Sequence, residues 1–246
     1  MNTIRPVALI TGASRRIGAA IARTLHAAGY DLALHHRDSH AAMAALLGEL
    51  EQARAGSTLE LRAELAQADR LPELIAQAID RFGRLDALVN NASVFFPTPI
   101  GTTTPQQWDT LFAANARAPF FLAQAAAPHL RATGGSIVNL VDIYAERPLK
   151  EHTLYCMAKA ALAMLTLSLA KELGPEVRVN GIAPGAVLWP EAGMAGADQD
   201  RLLAKTALKR AGDAQDVANA ALFLIRDARY TTGEILRVDG GRLLDI

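Results

Sequence analysis

This chain of 246 residues predicts a doubly wound α/β fold, a single parallel sheet of about seven strands with helices on both faces. Three observations carry that expectation. Short apolar runs alternate with longer helical patterns from one end to the other, the runs are apolar throughout, and no Ser/Gly-rich linker or charge block separates the halves. Strands that are apolar on both faces belong to a sheet covered on both sides, and helices between consecutive parallel strands make right-handed crossovers. One domain over residues 1–246 follows, with no internal repeat.

The first strand, Val7–Thr11, is the run Val7-Ala8-Leu9-Ile10 closed by Thr11-Gly12. A helical pattern over Ile17–Ala28 leads to a strand at Asp31–His35, and Ala41–Ala55 leads to Leu59–Leu65. Pro72–Arg81 precedes the fourth strand, Ala87–Asn91, and Pro105–Leu130 precedes the fifth, Ile137–Asp142. Leu154–Glu172 leads to Arg178–Ala183, and Ala214–Ile225 to Ile235–Val238. The rhythm breaks between Leu188 and Asp213, where Trp189-Pro190, Gly193, Met194 and Gly196 precede a short helical stretch at Gln199–Thr206. A connection of that length in an α/β domain is expected either to lie over the site as a lid bordering the substrate or to be a disordered surface loop.

Composition narrows the function. Lys+Arg and Asp+Glu both number 25, which argues against a partner bound through many phosphates or an anionic membrane surface. The single cysteine, Cys156, cannot form an internal disulfide, so a reducing, cytoplasmic setting is expected. Met1–Pro6 is too short and polar for a signal peptide, and no stretch gives about 18 uninterrupted apolar residues. The six histidines show no ligand spacing, and no metal is expected.

The first strand–helix turn reads Thr11-Gly12-Ala13-Ser14-Arg15-Arg16-Ile17-Gly18. Gly12 permits a tight turn, Gly18 permits close packing, and the amides at the helix start can hold a pyrophosphate. Arg15 and Arg16 oppose the helix dipole there unless an anion sits between them. After the second strand come His35, His36, Arg37, Asp38 and Ser39. Asp38 is placed to grip a ribose diol, as in NAD binding, but the basic and hydroxyl residues around it favour the extra phosphate of NADPH.

Tyr155 and Lys159 stand four apart and share a helix face, where an ammonium is expected to lower the phenol pKa for proton transfer. Pro119 gives no amide hydrogen to the carbonyl of Asn115, leaving it free to hold a water. The remaining constellation is Asn90-Asn91-Ala92-Ser93 and Asp142 at strand ends, then Pro184-Gly185, then Val238-Asp239-Gly240-Gly241.

On these motifs the chain resembles the short-chain dehydrogenase/reductase family over essentially its whole length, and so a Rossmann-type fold. The resemblance implies that Tyr155 donates the proton, that Lys159 binds the nicotinamide ribose, and that Asn115 belongs to the proton relay. It assigns Gly12, Ser14, Ile17, Gly18, His36, Arg37, Ser39, Asn91, Ala92, Pro184, Gly185 and Val187 to the cofactor. Asn90 would help hold the central sheet together. Glu64-Leu65 match the family's acidic-plus-apolar pair beside adenine, with Glu replacing the commoner Asp. It also implies a homotetramer built through the helices Pro105–Leu130 and Leu154–Glu172, whose apolar faces exceed what one chain can cover.

Two departures narrow the branch. Family members mostly carry Ser where this chain has Asp142, thirteen residues before Tyr155, and Gly where it has Arg16. Together with Ser93-Val94-Phe95-Phe96-Pro97-Thr98-Pro99 and Tyr155-Cys156-Met157-Ala158-Lys159, they resemble the pteridine reductase branch, including the bacterial dihydromonapterin reductases. That resemblance implies NADPH as donor and a pterin substrate, with Arg16 at both cofactor phosphate and pterin, Ser93 at both pterin and cofactor, Phe95 on the pterin ring face, and protons relayed by Asp142 and Tyr155. Dihydrofolate is a further candidate. The alternatives are a ketone or 3-oxoacyl reductase, and a dinucleotide-binding regulator without catalysis.

Overall fold

The computed structural model describes residues 5–187 and 196–244. Seven strands are ordered β3-β2-β1-β4-β5-β6-β7 in one sheet, and every pairing is parallel. They are β1 (Val7–Ile10), β2 (Asp31–His36), β3 (Thr58–Arg62), β4 (Ala87–Asn90), β5 (Ser136–Leu140), β6 (Arg178–Pro184) and β7 (Ile235–Val238). The helices are α1 (Arg16–Ala27), α2 (His40–Ala53), α3 (Leu71–Phe82), α4 (Pro105–Phe112), α5 (Ala118–Thr133), α6 (Thr153–Leu173), α7 (Gly196–Ala204) and α8 (Ala214–Leu222).

Alternation along the strands divides the core into two layers. Ala8, Ile10, Leu32 and Leu34 face α1, α2 and α8 through Ile21, Leu25, Met43, Leu46 and Val217. Val7, Leu9, Leu88, Ile137 and Val179 face α3, α5 and α6 through Leu74, Ile75, Leu122 and Leu169. The chain order reverses between β1 and β4, and a crevice at such a point, outside the carboxyl ends of the strands, is where these sheets bind ligands.

Three expected boundaries moved for physical reasons. The strand expected to run to Leu65 stops at Arg62, because its ladder partner β2 ends at His36. The strand expected to reach Asp142 stops at Leu140; Asp142 instead caps a 3₁₀ turn over Ile143–Ala145, its carboxylate accepting from the Tyr144 amide at 2.9 Å. The single helix expected over Pro105–Leu130 is two helices joined by a π-turn at Ala113–Arg117, and a second π-turn at Phe223–Asp227 follows α8. α6 is long and apolar enough by composition to cross a bilayer, but half of that stretch is buried within the fold, where Leu162, Thr166 and Leu169 pack beneath the sheet. Of the expected loop 188–213, residues 188–195, Trp189 among them, lie outside the described residues.

Candidate active site

The glycine turn shows why each glycine is needed. Gly12 has φ +62° with Ala92 so close that an added Cβ would lie 2.9 Å from its Cα. A Cβ on Gly18 would lie 2.2 Å from the Gly12 carbonyl oxygen. Asn91 locks the β1 and β4 tips together, its side-chain amide donating to the carbonyls of Thr11 and Gly12 at 2.8 and 2.9 Å. The Thr11 hydroxyl returns the contact by accepting from the amides of Asn91 and Ala92, both at 3.0 Å.

α1 begins with no side-chain cap and no acid in its first turn. Its first amides therefore point at the turn with the positive end of the helix dipole behind them, a setting that suits a diphosphate. Arg16 sits at φ +53°, the left-handed conformation glycine adopts without cost, so the chain holds an arginine here against roughly 1 kcal/mol of backbone strain.

From this turn a cleft of about 680 Å³ runs along the strand ends, lined by Ser14, Arg15, Arg16, Arg37, Ser39, Glu64, Leu65, Asn91, Ala92 and Ser93 among others. At its β2 rim the Arg37 guanidinium contacts Asp38 at 2.6 Å and Glu64 at 3.5 Å. His36, expected at the cofactor phosphate, borders the cleft, but its imidazole is 1% exposed and turned to Glu60 of β3 at 2.8 Å. His35, passed over in the sequence as a site residue, pins the floor. Its Nδ1 accepts from the Gly12 amide at 3.3 Å, its Nε2 meets the Ala63 carbonyl at 3.1 Å, and burial lowers its pKa to about 4, keeping the ring neutral.

Past Ser93 lies the chemical end. The Ser93 hydroxyl donates to Asn115 Oδ1 at 2.6 Å, and the Asn115 amide donates to the carbonyls of Val94 and Leu111 at 2.9 and 3.0 Å. Asn115 is thus buried inside the π-turn, whose wider winding turns its side chain to the β4 tip. Pro119 follows in the first turn of α5 with no amide to give the Asn115 carbonyl.

The Tyr155 hydroxyl donates to Asp142 Oδ2 at 2.8 Å, while Oδ1 of the same carboxylate holds the Tyr144 amide. Asp142 therefore both caps a turn and faces the phenol. Lys159 is buried, donates to the Leu140 carbonyl at 2.7 Å, and has its pKa lowered to about 8 by desolvation, against the pull of Asp142.

One electrostatic expectation is reversed. Lys159 was expected to lower the Tyr155 pKa, but the phenol is held well above its usual value of 10, first by burial and then by the Asp142 charge beside it, with Ser93 opposing. The lysine ammonium is committed to a backbone carbonyl and lies 5.7 Å from the Tyr155 ring centre. Asp142 is also raised above the carboxylate range, chiefly by desolvation, with the Tyr144 amide, Lys159 and Tyr155 opposing. The pair is therefore a proton-holding pair.

Phe95 is 54% exposed beside this pair. Its ring stacks on His152 at 4.5 Å between centroids and meets Tyr155 edge-on at 4.8 Å. The stacking partner, His152, immediately precedes α6, and no spacing in the sequence signals the contact. Beneath the site, Asn90 donates to Asn139 Oδ1 at 2.8 Å and Asn139 donates to the Thr166 hydroxyl at 2.9 Å, joining β4, β5 and α6 through a buried chain. Gly185 packs where a Cβ would sit 2.7 Å from Asp239, and Val187 is buried next to it.

A parallel sheet with an anion-ready turn at its switch point, leading to a buried Tyr155–Asp142 pair that holds protons beside Lys159, defines a nucleotide-dependent oxidoreductase site. The sequence relationships agree. A family profile described as enoyl-(acyl carrier protein) reductase matches residues 12–242. The chain is 35% identical to pteridine reductase 1 of Leishmania tarentolae over a 276-residue alignment covering 96% of both chains. It is also 35% identical to the granaticin polyketide synthase putative ketoacyl reductase 2 of Streptomyces violaceoruber, over 96% of this chain and 95% of that one. Identity to the 3-oxoacyl-[acyl-carrier-protein] reductase FabG of Staphylococcus epidermidis is 33%, over 95% and 97% of the two chains. The chain belongs to the short-chain dehydrogenase/reductase family, whose members are oxidoreductases that use a nicotinamide dinucleotide.

Proposed function

We propose that the protein is an NADPH-dependent reductase of dihydropterins, such as dihydrobiopterin or dihydromonapterin, with dihydrofolate as a further substrate. The observation that carries this reading is the hydrogen bond from Tyr155 to Asp142, where most of the family has a serine. A carbonyl substrate needs its oxygen polarised, which a hydroxyl does well. A C=N bond needs a proton on nitrogen, and a raised carboxyl coupled to a phenol can supply it.

The glycine turn supports the cofactor assignment, since Gly12 and Gly18 leave the backbone bare where a Cβ would fill the cradle. Gly12, Ser14, Arg16, Ile17 and Gly18 would hold the pyrophosphate, Arg37 and Ser39 the ribose phosphate, and Glu64 and Leu65 the adenine. Asn91 and Ala92 would border the adenosine ribose, Lys159 the second ribose, and Pro184, Gly185 and Val187 the nicotinamide end. NADPH, when bound, supplies the hydride to the ring carbon. Tyr155 keeps its proton until the substrate nitrogen takes it, and Asp142 replaces it. Lys159, charged below about pH 8, offsets the developing phenolate. Asn115, anchored by Ser93 and Val94, would hold a water of the proton relay at its backbone carbonyl.

Phe95, half-exposed beside Tyr155 and already stacked on His152, supports a flat heteroaromatic substrate packing in this aromatic cluster. Trp108, Phe120, Met157, Met164 and Leu167, exposed on α4, α5 and α6, support self-association through those helices into a homotetramer.

The relatives also favour a second reading, 3-oxoacyl reduction, because the ketoacyl reductases are as similar as the pteridine reductase. NADPH oxidation measured with 7,8-dihydrobiopterin and with a β-ketoacyl thioester separates the two. A kcat/KM at least tenfold higher for the pterin is the expected result; preference for the thioester overturns the proposal, and cofactor binding without turnover of either points to a regulator.

Arg16 gives a second check on the phosphate end. Arg16→Gly relieves a strained φ, so melting should stay level or rise. The NADPH KM should nonetheless rise by about tenfold or more, the loss expected for one charge-assisted hydrogen bond.

A further inference from the structure

The β3 edge of the sheet carries a cluster that the oxidoreductase site does not use. His36 ends β2, His40 opens α2, and Glu60 lies on β3; one ring nitrogen of each histidine and one carboxylate oxygen all fall within 4.8 Å of one another. His36 Nε2 is 2.8 Å from Glu60 Oε1, and the His36 and His40 rings meet edge-on with centroids 5.1 Å apart.

Two imidazoles and a carboxylate are the donor set of zinc and its divalent first-row neighbours. Ligands held about 2.0–2.1 Å from one tetrahedral ion stand roughly 3.3 Å apart. The His36–Glu60 pair is near that spacing already. His40 and Glu60 are exposed, so rotamer changes in both can close the remainder.

A second observation points the same way. His36 is 1% exposed, yet its Nδ1 finds no hydrogen-bond partner among the described residues. Without a metal, Glu60 holds the His36 proton on Nε2, and the unengaged Nδ1 can take that proton, leaving Nε2 bare as the ligand atom beside Glu60.

We infer that His36, His40 and Glu60 form a binding site for one divalent transition-metal ion of the zinc type, with water completing the shell on the solvent side of His40 and Glu60. Bound there, the ion ties the end of β2, the edge strand β3 and the first turn of α2 into one unit. The segment Arg37–Ser39, which lines the cleft, is held between two of its ligands. The site is structural: it stands apart from the Asp142–Tyr155 pair and takes no part in hydride or proton transfer.

The test uses the untagged full chain, stripped with a chelator and titrated with Zn²⁺ by calorimetry and with Co²⁺ by visible absorption. The expected result is one ion per chain, a ligand-field band of low-symmetry cobalt, and a higher Tm with Zn²⁺. His40→Ala and Glu60→Gln should each weaken binding by about tenfold or more, while His129→Ala on α5 leaves it unchanged. His36 is kept intact because its buried ring also supports the core, and both variants should melt like wild type in chelator. Failure to bind either metal, or binding of equal affinity in His40→Ala and Glu60→Gln, overturns the proposal.

Discussion

Tyr155→Phe is expected to lower kcat for dihydropterin reduction by about 10²–10⁴-fold, the range for losing a positioned proton donor. The substitution isolates that donor. The ring packs with Leu111 and Leu154 and meets Phe95 edge-on, contacts that phenylalanine keeps. What disappears is the hydroxyl 2.8 Å from Asp142 Oδ2. That hydroxyl lowers the Asp142 pKa, so its loss leaves the carboxyl more firmly protonated and less able to replace a proton once given. NADPH affinity, read by fluorescence titration, should be unchanged, and single-turnover hydride transfer should slow as much as kcat. Retention of more than a tenth of wild-type kcat would remove Tyr155 from the proton path.

The second large effect concerns Asp142 and has a sign fixed by its environment. Burial raises its pKa above the carboxylate range. The protonated form, which can donate, therefore persists at mildly acidic pH and is lost as pH rises through the raised value. Wild-type turnover of a dihydropterin should fall as pH rises through the raised Asp142 value, and fall again above about 8 as Lys159 loses its charge.

In Asp142→Ser the first limb should vanish, leaving kcat about 10²-fold lower and flat up to the lysine limb. Folding offers a control. A carboxylate whose folded pKa lies above its unfolded value contributes stability at low pH that is lost as pH rises through it, so at neutral pH the charged group is a burden. Asp142→Asn, which keeps an acceptor for the Tyr144 amide, should not lower Tm at pH 7. A flat pH–rate profile in both wild type and Asp142→Ser would exclude the carboxyl from proton delivery.

Much of this site is legible in the sequence because its chemistry is spaced locally. Gly12 and Gly18 share one turn, Tyr155 and Lys159 share one helix face, and Asn90 to Ser93 follow one strand. Other parts depend on partners far along the chain. The π-turn at Ala113–Arg117 is invisible to helical periodicity, and it is held by the Asn115 side chain bonding Val94, 21 residues earlier. His36 reads as a phosphate ligand by position. Its ring turns instead to Glu60, which the parallel register of β2 and β3 brings alongside.

Spacing alone gives the wrong sign for the Tyr155 shift for the same reason. A lysine four residues away does lie on the same face, but its Nζ is captured by the Leu140 carbonyl, and the nearest charge to the phenol is Asp142. Burial then outweighs every other influence on both groups.

By itself the sequence determined the fold class, the alternation of strands and helices, the glycine turn, and the residue types at the site, because each is written in periodicity or in short-range spacing. Only the tertiary structure decided which carboxylate faces the phenol, which groups hold their protons, that Phe95 stacks on His152, and that His36, His40 and Glu60 converge. Those depend on desolvation and on distances between side chains from different strands and helices, which exist only once the sheet has brought its strand ends together.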